Sequence, residues 1–257
     1  MADFIAADGV TISYDDTGSG RPVLLVHGFS SNRNEAWKRT GWYAAFERRG
    51  QRVIALDLRG HGQSGKPHDP AAYARETLLA DIIGLLDHLG IGRADVVGYS
   101  MGARLSLSLA LSVSDRIDHL VLGGVGARLL TPAPRDDSMA QAMEADDPAT
   151  IAEPLLQSFR HFADEQGEDR LALAAFVRAP SREFDADDLF ALRNPTLVVA
   201  GSRDALAGDP QGLADAIPGA KAVSVQGCDH FNAIPHAMLK ATVFDFLDGY
   251  LDDPFGS

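Results

Sequence analysis

Gly98-Tyr99-Ser100-Met101-Gly102 fixes a serine at the junction of a buried strand and a helix, and constrains the fold more than any other stretch of the chain. The run before it, Ala94-Asp95-Val96-Val97, is short, largely apolar and β-branched, as a strand requires. The run after it, Ala103 to Leu111, is rich in Ala and Leu, as a helix requires. A serine between the two occupies a tight, strained turn that lifts its hydroxyl clear of the backbone. Strand and helix pass within contact distance at such a turn, so the small residues Gly98, Gly102 and Ala103 have a steric reason to be there. Ser100 is predicted to be a nucleophile rather than an ordinary turn residue.

The rest of the chain repeats the same rhythm. Phe4-Ile5-Ala6 and Val10 to Tyr14 flank Asp8-Gly9 and predict a hairpin. Val23-Leu24-Leu25-Val26, Val53-Ile54-Ala55-Leu56 and Leu120-Val121-Leu122 are continuous apolar runs, the mark of strands buried on both faces. Helices are predicted over 37–49, ended by Gly50, and over 71–89, stopped by Gly90. Thr196 to Ala200 and Ala222 to Val225 read as the last strands, followed by an amphipathic helix near 235–251. Strands that alternate with helices predict an α/β fold, a mostly parallel sheet covered on both faces.

Between 128 and 192 the rhythm breaks. Pro132, Pro134, Pro148, Pro154 and Pro180 interrupt short helical patterns, and no strong strand appears. The expected organisation is a core domain of residues 1–127 and 193–257 with a helical cap insertion at 128–192. Fourteen carboxylates in the insertion stand against six arginines: Arg128, Arg135, Arg160, Arg170, Arg178 and Arg182. The expectation is a solvated acidic face that disfavours anionic substrates.

A chain of 257 residues buries a core without staples, and its single cysteine, Cys228, provides no disulfide framework. A net charge of −13 argues against nucleic acid and anionic membranes as partners. No apolar run approaches the length of a membrane span, and Met1-Ala2-Asp3-Phe4 opens without a basic or apolar leader, so a cytoplasmic location is expected. No acidic, His or Cys cluster has metal-ligand spacing and no glycine-rich phosphate loop is present, so no cofactor is expected.

A serine hydroxyl needs a base, an orienting acid and donors for the oxyanion it creates. Of eight histidines, His230 follows the last predicted strand and the Gly227-Cys228-Asp229 turn, on the same sheet rim as Ser100. Asp204 follows Val198-Val199-Ala200 in the loop Gly201-Ser202-Arg203-Asp204, with Asp209 a second choice from that loop. The strand Leu120-Val121-Leu122 is followed by Gly123-Gly124, with no carboxylate to compete. The oxyanion donors are expected to be the backbone N–H groups of Met101 and of Phe29, in the loop His27-Gly28-Phe29-Ser30. His27, Asp57, Arg59 and His61 are read as loop-fixing residues and Cys228 as packing.

Taken in order, His27-Gly28-Phe29, the Asp57–Ser64 block, Gly98–Gly102, Gly201–Asp204 and Gly227–Phe231 resemble the α/β-hydrolase family. The resemblance implies an eight-stranded, mostly parallel sheet, a small helical cap, nucleophile Ser100, acid Asp204, base His230 and oxyanion donors Phe29 and Met101. Family members that cleave haloalkanes and epoxides carry aspartate at the nucleophile position, which the serine here disfavours. The stretch Tyr99 to Arg104 is similar to the elbow of menaquinone-pathway synthases and of many esterases. The expected activity is cleavage of a small neutral or apolar carboxylic ester through an acyl-enzyme. The alternatives are C–C bond or enol-lactone hydrolysis, or cofactor-free perhydrolysis, by the same triad, and from another class a ligand sensor that keeps the fold.

Overall fold

The computed structural model describes residues 2–131, 136–180 and 183–251. Pro132, Pro134, Arg135 and Arg182 of the expected insertion lie outside the described residues.

Eight strands form one sheet: β1 (Ala2–Ile5), β2 (Thr11–Gly18), β3 (Arg21–Val26), β4 (Gln51–Leu56), β5 (Ala94–Tyr99), β6 (Ile117–Gly123), β7 (Thr196–Gly201) and β8 (Lys221–Val225), in the order β1-β2-β4-β3-β5-β6-β7-β8. The β1–β2 and β2–β4 pairs are antiparallel and all the others parallel. Both faces of the central strands are buried, as their uninterrupted apolar runs require. Leu24, Val26, Ile54, Leu56, Val96, Leu120, Leu122 and Val198 enter one core. Their immediate neighbours Val23, Leu25, Val53, Ala55, Val97, Val121, Leu197 and Val199 enter the other. The period of two that sends successive side chains to opposite faces thus fills two cores from the same strands.

Helices close each side. Helices α2 (Arg75–His88), α3 (Met101–Ser112) and α8 (Pro210–Ala214) cover the first core. Helices α1 (Trp42–Arg48) and α9 (Ala237–Leu247) cover the second with Trp42, Phe46, Leu239, Val243 and Phe246. Two predicted helices are shorter than their patterns. The 37–49 helix begins only at Trp42, because Gly41 adopts φ 84° and separates α1 from a wide turn over Asn34–Lys38. The 71–89 helix splits at Ala74, whose extended backbone divides a short 3₁₀ turn, Pro70–Tyr73, from α2. The final helix ends at Leu247, ahead of Gly249 at φ 80°.

Between β6 and β7 the described residues form four α-helices, two short 3₁₀ turns and no strand; the α-helices are α4 (Ser138–Glu144), α5 (Pro154–Gln166), α6 (Arg170–Arg178) and α7 (Ala186–Ala191). Proline occupies the first position of α5, where its missing N–H costs nothing, and Gly167 ends the helix at φ 66°. Asp169 and Asp185 cap α6 and α7 by accepting from backbone N–H groups. Ala140, Met143, Ala163, Leu173 and Ala174 give this segment a small core of its own, which Phe29 and Phe159 adjoin. Among the described residues, no helix is long and apolar enough to cross a membrane.

Candidate active site

The turn at Ser100 is as tight as the sequence requires. A β-carbon on Gly98 would lie 2.4 Å from the Gly102 carbonyl oxygen, and one on Gly102 would lie 2.1 Å from that of Val26. No side chain fits either position, so β5 can pass into α3 only between glycines. Ser100 itself is held at φ 55°, ψ −116°, outside the ordinary regions for an L-residue. The peptide framework maintains this strain: the Ser100 N–H donates to Gly123 O at 2.8 Å, and Ser100 O accepts from the Arg104 N–H at 3.1 Å.

The strained serine meets a histidine. His230 Nε2 lies 2.9 Å from Ser100 Oγ, and His230 Nδ1 lies 2.8 Å from Asp204 Oδ2. The Asp204 side chain is fully buried, and a buried carboxylate needs partners on both oxygens. Oδ2 has the imidazole, and Oδ1 accepts from the Leu206 and Ala207 N–H groups at 3.0 and 2.9 Å. Asp204 is thereby held at both oxygens and aimed at Nδ1 of His230. Tyr99 holds the His230 loop from below: its hydroxyl donates to His230 O at 2.7 Å, and burial pushes the phenol well above its usual range. Asp209, the second choice for the acid, instead accepts from the Gln211 N–H and caps α8.

The 27–30 loop lies against Ser100. A β-carbon on Gly28 would sit 3.4 Å from Ser100 Cβ. Among the described residues, neither the Phe29 N–H nor the Met101 N–H has a hydrogen-bond acceptor. Met101 opens α3, and the first N–H groups of a helix have no partner within it. Both groups are therefore free to donate, as oxyanion binding requires.

The remaining motif residues build the floor. His27 Nε2 accepts from the Leu58 N–H at 3.0 Å, and burial holds this imidazole below its usual range. Burial also drives His61 down to about 3, with its ring 5.2 Å from that of His27. Two buried, neutral imidazoles packed together make poor proton carriers at pH 7. Asp57 accepts from the Arg33 and Gln63 N–H groups, each at 2.8 Å, and is also paired with the Arg33 guanidinium. Arg59, fully buried, grips Asp81 with two bonds of 2.6 and 2.7 Å. Cys228 is buried against the second core.

A cavity of about 460 Å³ opens beside Ser100 and His230, ample for a small ligand. Val125, Leu129, Phe159 and Leu206 make its walls largely apolar, and Arg104 and Arg128 add two cations. A smaller cavity of about 110 Å³ shares Met101 and Arg104 but not Ser100. The sequence reading did not single out Arg104 or Arg128 as cavity residues. The one available signal was Arg104 itself, the sole charge in the otherwise Ala-, Leu- and Ser-rich α3. Among the described residues, no group of His, Cys, Asp and Glu is arranged to hold a metal ion.

A serine elbow at the carboxyl end of the fifth strand of an eight-stranded, mostly parallel sheet, with an Asp–His pair from the loops after later strands, defines the class of the α/β hydrolases. A family model described as the alpha/beta hydrolase fold matches residues 21–187, and the chain belongs to that family. The chain is 32% identical to 2-hydroxymuconate semialdehyde hydrolase of Pseudomonas putida, over 91% of its own length and 89% of the relative's. Among solved structures it is similar to the enol-lactonase from Burkholderia xenovorans LB400, with a TM-score of 0.80 and 26% identity over 96% of this chain and 100% of that one. It is also similar to a thermophilic esterase from Thermogutta terrifontis, with a TM-score of 0.76 and 26% identity over 98% and 97% of the two chains.

Proposed function

We propose that the protein is a serine hydrolase that cleaves a small carboxylic ester or lactone through an acyl-enzyme on Ser100. The observation that carries this reading is the unbroken chain Ser100 Oγ, His230, Asp204, with contacts of 2.9 and 2.8 Å. Ser100 Oγ bonds to the acyl carbon as His230 Nε2 takes its proton, and Asp204 steadies the resulting imidazolium. The carbonyl oxygen, now negative, accepts from the Phe29 and Met101 N–H groups. The C–O bond to the leaving alkoxide breaks, and His230 returns its proton to that oxygen. Water then repeats the sequence: its oxygen bonds to the acyl carbon, His230 takes its proton and passes it to Ser100 Oγ, and the carboxylic acid departs.

Residues 128–192 act in this reading as a cap that selects what enters. Phe159 of α5 supports the assignment, for it lines the cavity and packs on Phe29 at 5.9 Å and on Phe231 at 5.5 Å between ring centres. The similarity to a semialdehyde hydrolase and an enol-lactonase supports a second reading, in which the same triad cleaves an activated C–C bond or an enol-lactone.

Labelling with a fluorophosphonate, combined with hydrolysis of 4-nitrophenyl butyrate, tests the reading. The wild-type chain is expected to react at Ser100 and to turn the ester over. Ser100→Ala is expected to do neither, with a loss of several orders of magnitude in rate. Ester turnover that survives Ser100→Ala would overturn it.

A further inference from the structure

Half-buried Arg104 differs from the buried arginines in that no aspartate or glutamate forms an ion pair with it among the described residues. Arg33, Arg59 and Arg160 each pair with an aspartate. The half-buried guanidinium of Arg104 donates no hydrogen bond and forms no ion pair among the described residues. It lies over the Phe184 ring at 5.7 Å, and the charge of exposed Glu183 reaches it from the side. Burial pushes its pKa down, the sign of a cation paying for lost water without full compensation.

Its position gives that loss a use. Arg104 follows Ser100 by four residues, and its N–H bonds to Ser100 O at 3.1 Å, so it rises one helical turn beyond the nucleophile. It lines the same cavity as Ser100 and His230, and the exposed Arg128 lines that cavity too. Arg128 likewise makes no side-chain ion pair among the described residues. Among the described residues, no aspartate or glutamate lines the cavity. In a chain of net charge −13, the described walls of the cavity beside the reacting serine thus carry positive charge. Three carboxylates of 128–192 pair with other arginines: Asp137 and Glu144 with Arg178, and Asp164 with Arg160 and Arg170. Apolar walls with two cations favour a small organic anion, because the field of a charge is strong where water is scarce.

We propose that Arg104, assisted by Arg128, binds a carboxylate carried by the substrate, so that the preferred substrates are small esters or lactones bearing a free carboxylate. The proposal rests on the serine-hydrolase reading and replaces the neutral substrate expected from the acidity of the insertion as a whole. A guanidinium suits the role, since its fork can donate two bonds to one carboxylate.

The test compares matched esters on the full chain. Mono-4-nitrophenyl glutarate against 4-nitrophenyl pentanoate places the charge on the acyl side. 4-Acetoxybenzoate against 4-acetoxybenzamide places it on the alcohol side. The readout is the ratio of kcat/KM within each pair, which a reduced active fraction does not move. The wild type is expected to prefer the anion by at least about 10-fold in one pair. Arg104→Met is expected to reduce that preference about 10- to 100-fold, the usual worth of hydrogen bonds to a charged group. Arg104→Lys should keep part of it, and Arg128→Met should lower it by a smaller factor. Absence of anionic preference in both pairs overturns the proposal, as does a preference that Arg104→Met leaves intact. Should Arg104→Met fold poorly, an unchanged ratio in both Arg104→Lys and Arg128→Met overturns it equally. Turnover of the neutral esters with labelled Ser100 but no anionic preference defeats this proposal alone. An unlabelled Ser100 with no turnover of any ester defeats the serine-hydrolase reading, and this proposal with it.

Discussion

The Tyr99 hydroxyl donates to the backbone carbonyl of His230 at 2.7 Å, so the residue just before the proposed nucleophile anchors the proposed base. The tyrosine ring also packs on the imidazole, with centres 5.4 Å apart. One side chain thus ties the elbow to the histidine loop, and the 2.9 Å contact from His230 to Ser100 depends on both ends of that tie. Tyr99→Phe keeps the ring and removes the donor, which leaves a buried carbonyl unpaired. The expected cost is about 1–3 kcal/mol of stability. A kcat on 4-nitrophenyl butyrate lowered roughly tenfold, with KM little changed, should accompany it, because positioning rather than binding is lost. Urea unfolding and steady-state kinetics check both parts.

Ser100 is held at φ 55°, a region in which only glycine is comfortable. Ser100→Gly and Ser100→Ala both remove the hydroxyl and its contact with His230, but only glycine releases the backbone strain. Ser100→Gly is therefore expected to be more stable than Ser100→Ala by about 1–2 kcal/mol, or roughly 3–6 °C in Tm. Thermal unfolding of the two inactive variants side by side measures this strain directly.

The strands were legible because burial on both faces leaves no room for polar residues, so Val23–Val26 and Val53–Leu56 announce themselves as uninterrupted apolar runs. The proposed triad was legible for a related reason: Ser100, Asp204 and His230 each follow an identifiable strand on one rim. The break of α1 at Gly41 was not legible, because Trp37 and Trp42 are both buried and the apolar pattern runs straight through the turn. Nor was the inward placement of Arg104, since direction on a helix depends on what packs against it. The acidity of 128–192 is a bulk property, whereas the charge a substrate meets depends on the few residues that face the cavity. Glu168 shows the same limit: it reads as one more surface acid, yet it is buried and accepts from Asn32 Nδ2 at 2.9 Å and from the Gly62 N–H at 2.8 Å.

Asp204 and Asp209 share a loop but face different tasks, which predicts opposite outcomes for the same chemical change. Asp204→Asn removes the charge that orients His230 and favours its wrong tautomer, and ester turnover is expected to fall by about 10⁴-fold. Asp209→Asn keeps a side chain able to cap α8 and is expected to stay within a few tenths of a kcal/mol of wild type, with turnover retained. Kinetics and thermal unfolding of the two variants check the assignment. A comparable loss of rate in Asp209→Asn would shift the role of the acid.

His61 gives the protein an acid-labile point beneath the site. Burial lowers its pKa from the ordinary 6.5 to about 3, and the Lys66 ammonium adds a like charge that opposes its protonation. Its Nδ1 lies 3.1 Å from Arg59 O, which leaves buried Nε2 without a partner among the described residues and facing a cluster of aromatic rings. The unfolded chain takes up a proton at this residue below pH 6.5, whereas the folded chain waits until about pH 3. The unfolded state therefore binds more protons in that window, and stability falls as pH drops from 6.5 toward 3. His61→Asn keeps a donor toward Arg59 O and cannot titrate. Its unfolding free energy, measured by urea titration from pH 7 to pH 4, should decline less steeply than that of wild type. The difference should approach one proton, about 1.4 kcal/mol per pH unit. Glu168 and Asp81, which burial raises, act in the opposite direction and are common to both proteins, so they cancel in the comparison. Parallel slopes for the two proteins would mean that His61 is protonated in the folded state well above pH 3.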